Sequence, residues 1–219
     1  MPRADERALE PLGVSRETIA RLKTYEALLK KWQHVKNLVS PTTLGCIWER
    51  HFQDSLQLLQ LAPHAQKWAD IGSGAGFPGM VIAIAKAGIP GFSVHLIESD
   101  HRKCAFLREV ARQTGVAATV EHGRAENIIS TFDGIDVVTA RAVTSLNKLV
   151  EMASPLLAKG ATGLFPKGRD YRAELTGIAL PSNFTIETAP SLTDDRAAII
   201  IIRGPQSRAP VPGMDPRCA

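Results

Sequence analysis

The sequence predicts an α/β fold: a mainly parallel sheet with helices on both faces, antiparallel strands at one edge and a helical extension at the N-terminus. Three observations carry this. From residue 67 onward, short apolar runs alternate with helical patterns, the signature of right-handed βαβ units. The last two strand-like runs have no long helix between them, which makes them an antiparallel pair at one sheet edge. A glycine-rich turn joins the first strand-like run to the first helix of the alternation.

The elements follow in order. Ile19, Leu22, Tyr25, Leu28, Leu29, Trp32 and Val35 recur at three- and four-residue steps, one face of a helix. Ser15 stands where its N-cap belongs, and Glu17 suits the positive end of the helix dipole. Asn37 and Pro41 break the pattern. A second helix is expected after Thr42 or Thr43, with Ile47, Phe52, Ser55, Leu56 and Leu59 on one side and Pro63 at its end. Strands are expected at 67–71, 92–97, 118–121, 135–140 and 161–165, and helices at 80–87, 102–114 (stopped by Gly115) and 145–157. Residues 184–187 and 197–202 form the closing pair. This divides the chain into a helical extension over 1–65, a core over 66–203 and a tail over 204–219. The tail carries Pro205, Pro210, Pro212, Gly213 and Pro216 and reads as disordered.

Composition narrows the classes. A chain of 219 residues with 44% hydrophobic and 22% charged residues buries a core and is not a disordered polymer. Its net charge of +4 and pI near 9.1 permit a polyanionic partner without requiring one. Cys46, Cys104 and Cys218 are odd in number and far apart, which argues against a disulfide framework and for a reducing compartment. The six histidines form no cluster with cysteine, so no metal site is expected. The segment from Met1 to Arg7 is charged and leads into no apolar signal core, and no run approaches the ~20 apolar residues of a membrane span. A cytoplasmic protein without membrane or metal is the expectation.

The most informative segment is Asp70-Ile71-Gly72-Ser73-Gly74-Ala75-Gly76-Phe77-Pro78-Gly79. Glycines there let the backbone turn sharply and approach a ligand. A dinucleotide fingerprint, G-x-G-x-x-G, needs its last glycine where Phe77 stands. The spacing is instead D-x-G-x-G-x-G, which resembles the first motif of class I methyltransferases. Their cofactor, S-adenosylmethionine, has no phosphate but a cationic sulfonium and amino group, which an acid at Asp70 suits directly or through water. Glu98 ends the second strand at the distance expected of a ribose-binding carboxylate. Arg124-Ala125-Glu126 follows the third strand, where an adenine contact belongs, and Arg141 follows the fourth. A glycine-rich turn without ligand, a surface ion pair and a solvated arginine are the alternatives.

Together these residues resemble the bacterial small-subunit ribosomal RNA methyltransferase G family, also called glucose-inhibited division protein B. The match runs from about Leu12 to Arg203. It rests on Asn37-Leu38-Val39-Ser40, Arg50-His51-Phe52-Gln53-Asp54-Ser55, the glycine-rich segment, Arg141-Ala142, Ser145-Leu146-Asn147 and Lys167-Gly168. The resemblance implies a class I methyltransferase-like, Rossmann-like fold. It also implies S-adenosylmethionine-dependent methylation of guanine N7 in 16S ribosomal RNA, in the loop of helix 18, with 16S RNA or a small-subunit precursor as partner. Cofactor-pocket positions carried over are Gly72, Phe77, Glu98, Ser99, Asp100, Ala125, Glu126 and Arg141, with Gly74 added on backbone grounds. Glu98 replaces the more usual aspartate, and Phe165-Pro166 departs from the plainer apolar pair before Lys167-Gly168.

Guanine N7 carries an in-plane lone pair and no proton, so no catalytic base is expected and positioning supplies the rate. The chain accordingly has no Asn-Pro-Pro-Tyr segment, and Cys104 falls inside a helix, not at a strand end. Lys30, Lys31, Lys36, Arg50, Arg141, Lys167 and Arg169 are candidates for phosphate contact, of which Arg141 and Lys167 are the RNA-binding expectations. His51 and Asp54 read as a hydrogen-bonded structural pair tying the extension to the sheet. Two other functions remain open on the sequence: a methyltransferase for another RNA or a small molecule, and a nucleic-acid-binding protein with a silent cofactor site.

Overall fold

The computed structural model describes residues 4–34 and 37–207. A 3₁₀ helix over Ala4–Leu12 leads into α1 (Arg16–Gln33). Ser15 caps α1 as expected, its hydroxyl accepting from Thr18 N at 3.1 Å. Val35 and Lys36 lie outside the described residues. The single second helix expected next is instead a broken run: α2 (Pro41–Leu44), a π-type turn over Trp48–Gln53, α3 (Asp54–Leu56) and α4 (Leu58–Leu61). The expected apolar side is there, with Ile47, Phe52 and Leu56 buried. The widened turn also brings Trp48 and His51 inward beside Phe52, and such turns recur at functional sites.

The alternation then runs as predicted, with element ends displaced by at most three residues: β1 (Lys67–Ile71), α5 (Gly79–Ala85), β2 (Ser93–Glu98), α6 (His101–Thr114), β3 (Ala118–His122), α7 (Ala125–Ile128), β4 (Val137–Thr139), α8 (Leu146–Ala158), β5 (Thr162–Lys167), α9 (Tyr171–Thr176), β6 (Thr185–Pro190) and β7 (Ala198–Arg203). Gly115 ends α6 at φ +65, the left-handed cap that glycine allows. Two short helices, α7 and α9, escaped the sequence reading. The sheet order is β3-β2-β1-β4-β5-β7-β6. The first five strands are parallel, and β7 inserts antiparallel between β5 and β6. β1 therefore sits where the strand order reverses, the switch point at which open α/β sheets bind ligands.

Both faces of the sheet are covered. Trp68, Leu96, Val137 and Leu164 face a core shared with Leu22 and Tyr25 of α1, Phe52, Met80 and Phe106. Ala69, Ile71, Val138 and Phe165 face the other core, under Leu149, Leu156 and Leu157 of α8. Burial on both faces explains why the strands read as continuous apolar runs. The helical extension shares the first core, so it is fastened to the sheet by apolar packing.

Pro166 sits within β5 opposite Ile199 of β7. The β4–β5 ladder stops at Leu164, so the missing N–H of Pro166 removes no bond on that side. At the C-terminal end, Gly204 is buried against the Leu157 carbonyl, and Ser207 hydrogen bonds Thr162 across 3.1 Å. Pro210, Pro212, Gly213, Pro216 and Cys218 lie outside the described residues. Among the described residues, no helix is long and apolar enough to cross a membrane, and no cluster of His, Cys, Asp or Glu has metal-ligand geometry.

Candidate active site

The glycine-rich turn leaves β1 at the carboxyl edge of the sheet. Gly72, Gly74 and Gly76 have φ of +62, +58 and +98, conformations that side chains strain to adopt. Ser73 N donates to Ile97 O of β2 at 3.0 Å, and Gly76 N donates to Ser73 O at 2.6 Å, which fix the turn. The three glycines do different things. A Cβ on Gly76 would stand 2.6 Å from Tyr25 Oη and 2.8 Å from Met80 Cβ, so Gly76 lets α1 pack down. A Cβ on Gly72 would stand 2.8 Å from Val143 Cγ2. At Gly74 the nearest atom is Gly72 O at 3.7 Å, so the backbone there is open to a ligand.

Asp70 lies beneath the turn. Its side chain is fully buried, on the same sheet face as Trp68, and Oδ2 accepts from Gly79 N at 3.2 Å. It holds the start of α5 from beneath the turn. Its other oxygen, Oδ1, is buried without a hydrogen-bond partner, as is Thr139 Oγ1 on the neighbouring strand position. Burial pushes the Asp70 carboxyl up to about 7, opposed by its hydrogen bonds and by Arg141.

Glu98 lies where the sequence put it, at the end of β2. Its longer side chain reaches the turn: Oε2 accepts from Gly74 N and Oε1 from Asp100 N, each at 2.8 Å. One carboxylate thus pins the glycine turn to the β2–α6 connection. Asp100 caps α6, accepting from Arg102 N at 2.9 Å and Lys103 N at 3.1 Å. Ser99 is exposed between them. Ala125 is buried at the start of α7 and Glu126 is exposed beside it, so both stand at the same sheet edge as Glu98. Cys104 is buried inside α6, its thiol donating to Glu98 O at 3.3 Å.

The second half of the site is built around Arg141. Its guanidinium lies 5.0 Å over the Phe77 ring, and His51 stacks on the same ring at 4.6 Å and 14°. Nη1 donates to Asp54 Oδ2 at 3.1 Å and to Arg50 O at 3.0 Å, while Nη2 meets His51 Nδ1 at 2.7 Å. Arginine has no acceptor, so Nδ1 must accept and the ring proton sits on Nε2, which donates to Thr43 Oγ1 at 3.0 Å. Burial, with Arg141 and Arg50 nearby, drives the His51 imidazole down to about 3 and keeps it neutral. The expected His51–Asp54 bond is therefore replaced: Arg141 binds both and adds a polar tie to the apolar packing between extension and sheet. Ala142 follows at φ +56 and turns the chain so that Val143 lies against Gly72. On the other side of the turn Tyr25 Oη donates to Ala75 O and its ring stacks on Phe77 at 5.4 Å.

Lys167 points inward. Nζ donates to Thr144 O at 2.9 Å and pairs with Glu174 Oε2 at 2.8 Å, with the side chain 11% exposed. Beyond it opens a cavity of about 220 Å³ between the 48–56 segment, the ends of β4 and β5, and the β6–β7 connection. Arg50, Asp54, Arg141, Lys167, Gly168 and Asp194 are among its walls. The structure thus groups the predicted residues in two sets that meet at Phe77 and Arg141. Gly72, Gly74, Glu98, Ser99, Asp100, Ala125 and Glu126 surround the turn, and Arg141 and Lys167 line the cavity. Sequence reasoning missed Thr43, Tyr25 and Asp194. Tyr25 looked like one more core position of α1, and Asp194 sits in a loop with no motif.

The model of the family described as rRNA small subunit methyltransferase G matches residues 18–200. A ribosomal RNA small subunit methyltransferase G from Methylorubrum populi is 52% identical over 194 residues, covering 89% of this chain and 92% of the relative. Among solved structures, a methyltransferase from Geobacter sulfurreducens superposes with a TM-score of 0.56 at 15% identity, covering 84% of this chain and 90% of the other. A mutant of MtNAS in complex with S-adenosylmethionine gives 0.54 at 17%, covering 90% and 82%. At such identities these two structures speak for a shared fold. Sequence match and fold converge: the chain belongs to the rRNA small subunit methyltransferase G family.

Proposed function

We propose that this chain transfers the methyl group of S-adenosylmethionine to N7 of a guanine in 16S ribosomal RNA, in the loop of helix 18. The observation that carries the reading is the pairing of an open glycine turn, pinned by Glu98 at the switch point, with a charged cavity directly across Arg141. Membership of a family whose relatives are named as ribosomal RNA methyltransferases supplies the substrate class.

The residues around the turn fit this cofactor. Gly74 leaves room above the backbone, and the Glu98 carboxylate, already ordered by two N–H groups, keeps acceptor capacity for ribose hydroxyls. Ala125 offers a small buried surface for an adenine, with Ser99, Asp100 and Glu126 at its rim. S-adenosylmethionine bound there would supply a sulfonium methyl group open to attack by the N7 lone pair, with the neutral thioether as leaving group. The chain has no proton to remove, in keeping with a His51 held neutral by Arg141 and packed on Phe77. Its work is alignment: Arg141, which lines the cavity and lies over the Phe77 ring of the turn, stands where the two halves meet. Arg141 and Lys167 contact the target nucleotide from the cavity walls, while exposed cations such as Arg50 meet phosphates. Residues 66–203 constitute the cofactor-binding core and 1–65 an extension that completes the RNA side.

The test is transfer of labelled methyl from S-adenosylmethionine into protein-free 16S RNA and into 30S particles. Label in RNA is the expected result. Cofactor binding with label in small molecules alone contradicts the substrate, and absence of cofactor binding contradicts the whole reading.

A further inference from the structure

We infer that the cavity across Arg141 takes the target guanine itself and that Asp194 reads the donor edge of the base, accepting from N1–H and the 2-amino group. The inference rests on the reading of the chain as a guanine methyltransferase and adds the residue that selects the base. Size is the first support. At about 220 Å³ the cavity is smaller than the ~300–1,000 Å³ that drug-sized ligands occupy, which suits a single flipped base.

Charge pattern is the second. Arg50, Arg141 and Lys167 share the cavity with Asp54 and Asp194. Guanine presents acceptors, N7 and O6, along one edge and donors, N1–H and the 2-amino group, along the next. N7 has to face the glycine turn, and Arg141, which lies over Phe77 of that turn, marks that side of the cavity. O6 then lies beside the cations at the ends of β4 and β5. The donor edge turns to the far wall, the β6–β7 connection that carries Asp194. Adenine would bring an amino group to the cations and a bare N1 to the carboxylate, so the same walls reject it.

The two carboxylates are not equivalent. Asp54 is committed: Oδ1 accepts from Gln57 Nε2 at 2.8 Å and Thr193 Oγ1 at 3.0 Å, and Oδ2 accepts from Arg141. Asp194 is held through one oxygen, Oδ1, by Arg196 N at 3.0 Å and Arg196 Nε at 3.2 Å. Its Oδ2 is ion-paired with Arg50 Nη1 at 3.7 Å, too long for a hydrogen bond, so it can still accept from a ligand. The bonds from Arg196 also hold the carboxyl below its ordinary range, so it is an ionised acceptor at neutral pH.

The experiment compares 16S RNA carrying guanosine or inosine at the target position, since inosine lacks the 2-amino group. Wild-type protein should lose roughly tenfold or more in kcat/KM on inosine, the cost of one charge-assisted hydrogen bond. Asp194→Asn keeps an oxygen for Arg196 but loses the charge. It should lose a similar factor on guanosine RNA at unchanged S-adenosylmethionine affinity, and the inosine penalty should shrink to about twofold or less. Gly168→Leu gives an independent check, because Gly168 lines the cavity and a Cβ there meets no atom within 4 Å. It should block RNA methylation and leave cofactor binding intact. An inosine penalty of equal size in wild type and Asp194→Asn overturns the assignment, as does a wild type indifferent to inosine. A wild type that methylates no guanosine RNA removes the underlying reading, and this assignment with it.

Discussion

The two halves of the site are made in opposite ways. Around the glycine turn the backbone does the shaping: three left-handed glycines, N–H groups bound by Glu98, and a carboxylate buried beneath. Around the cavity the side chains do it: Arg141 spans to Arg50, His51 and Asp54, about ninety residues earlier in the chain. The first half comes from neighbours in sequence and is fixed by conformation. The second comes from distant segments and is fixed by charge and hydrogen bonds. Damage at Gly72 or Glu98 in the first should weaken cofactor binding at a retained fold. Damage to the second should loosen the extension and lower stability.

The largest effect is expected at Gly72. Gly72→Val places a β-branched residue at φ +62 and crowds Val143, which is exposed and able to shift. The fold should survive, while S-adenosylmethionine affinity falls by about a hundredfold or more as the strained turn and the displaced Val143 distort the ligand space. Unchanged affinity in calorimetry would move the cofactor elsewhere. Gly76→Val sharpens the contrast, since its Cβ collides with Tyr25 and Met80 in the core and should unfold the protein.

Next is Arg141→Met, which leaves Asp54 and His51 Nδ1 without their donor. Urea unfolding should show a loss of roughly 2–4 kcal/mol, the penalty of breaking a largely buried pair from one side. Cofactor affinity should change far less than stability. The reverse pattern would place Arg141 in the cofactor half alone. Glu98→Ala belongs to the first half and should weaken S-adenosylmethionine and its demethylated product alike by about 1.5–3 kcal/mol. A product that still binds normally would assign Glu98 another task.

The smallest effects are in the pH dependence of stability, and they oppose each other. The fold keeps His51 neutral down to about 3, so its contribution is lost as pH falls below the ordinary 6.5. The fold keeps a proton on Asp70 up to about 7, so that contribution is lost as pH rises from the ordinary 3.8. Relative to wild type, His51→Gln should gain stability as pH drops from 6.5 towards 4. Asp70→Asn should gain as pH rises from 4 to 7. Urea titrations across that range that give parallel curves for all three proteins would show that neither group titrates as described.

The same contrast explains what the sequence disclosed. Asp70 to Gly79 was readable because its glycines and the strand before it are contiguous, and Glu98 because it ends the next strand. Asp70 stands two residues from Trp68 on a strand buried on both faces, and its place before the glycines did not reveal that burial. The 41–61 segment has the apolar positions of one helix, yet its π-type turn is set by tertiary partners: His51 on Phe77 and Arg141. α9 is six residues long with none buried, so it left no periodic trace. Asp194 acquires meaning from the cavity around it, which no local pattern announces.

The central claim is the atom that receives the methyl group. Methylation at N7 leaves a cationic guanine, which borohydride reduction followed by aniline converts into a chain break. After incubation of 30S particles or 16S RNA with the protein and S-adenosylmethionine, one new break in the helix 18 loop is the result this account predicts. Methyl incorporation without a break, or with breaks outside that loop, would contradict it.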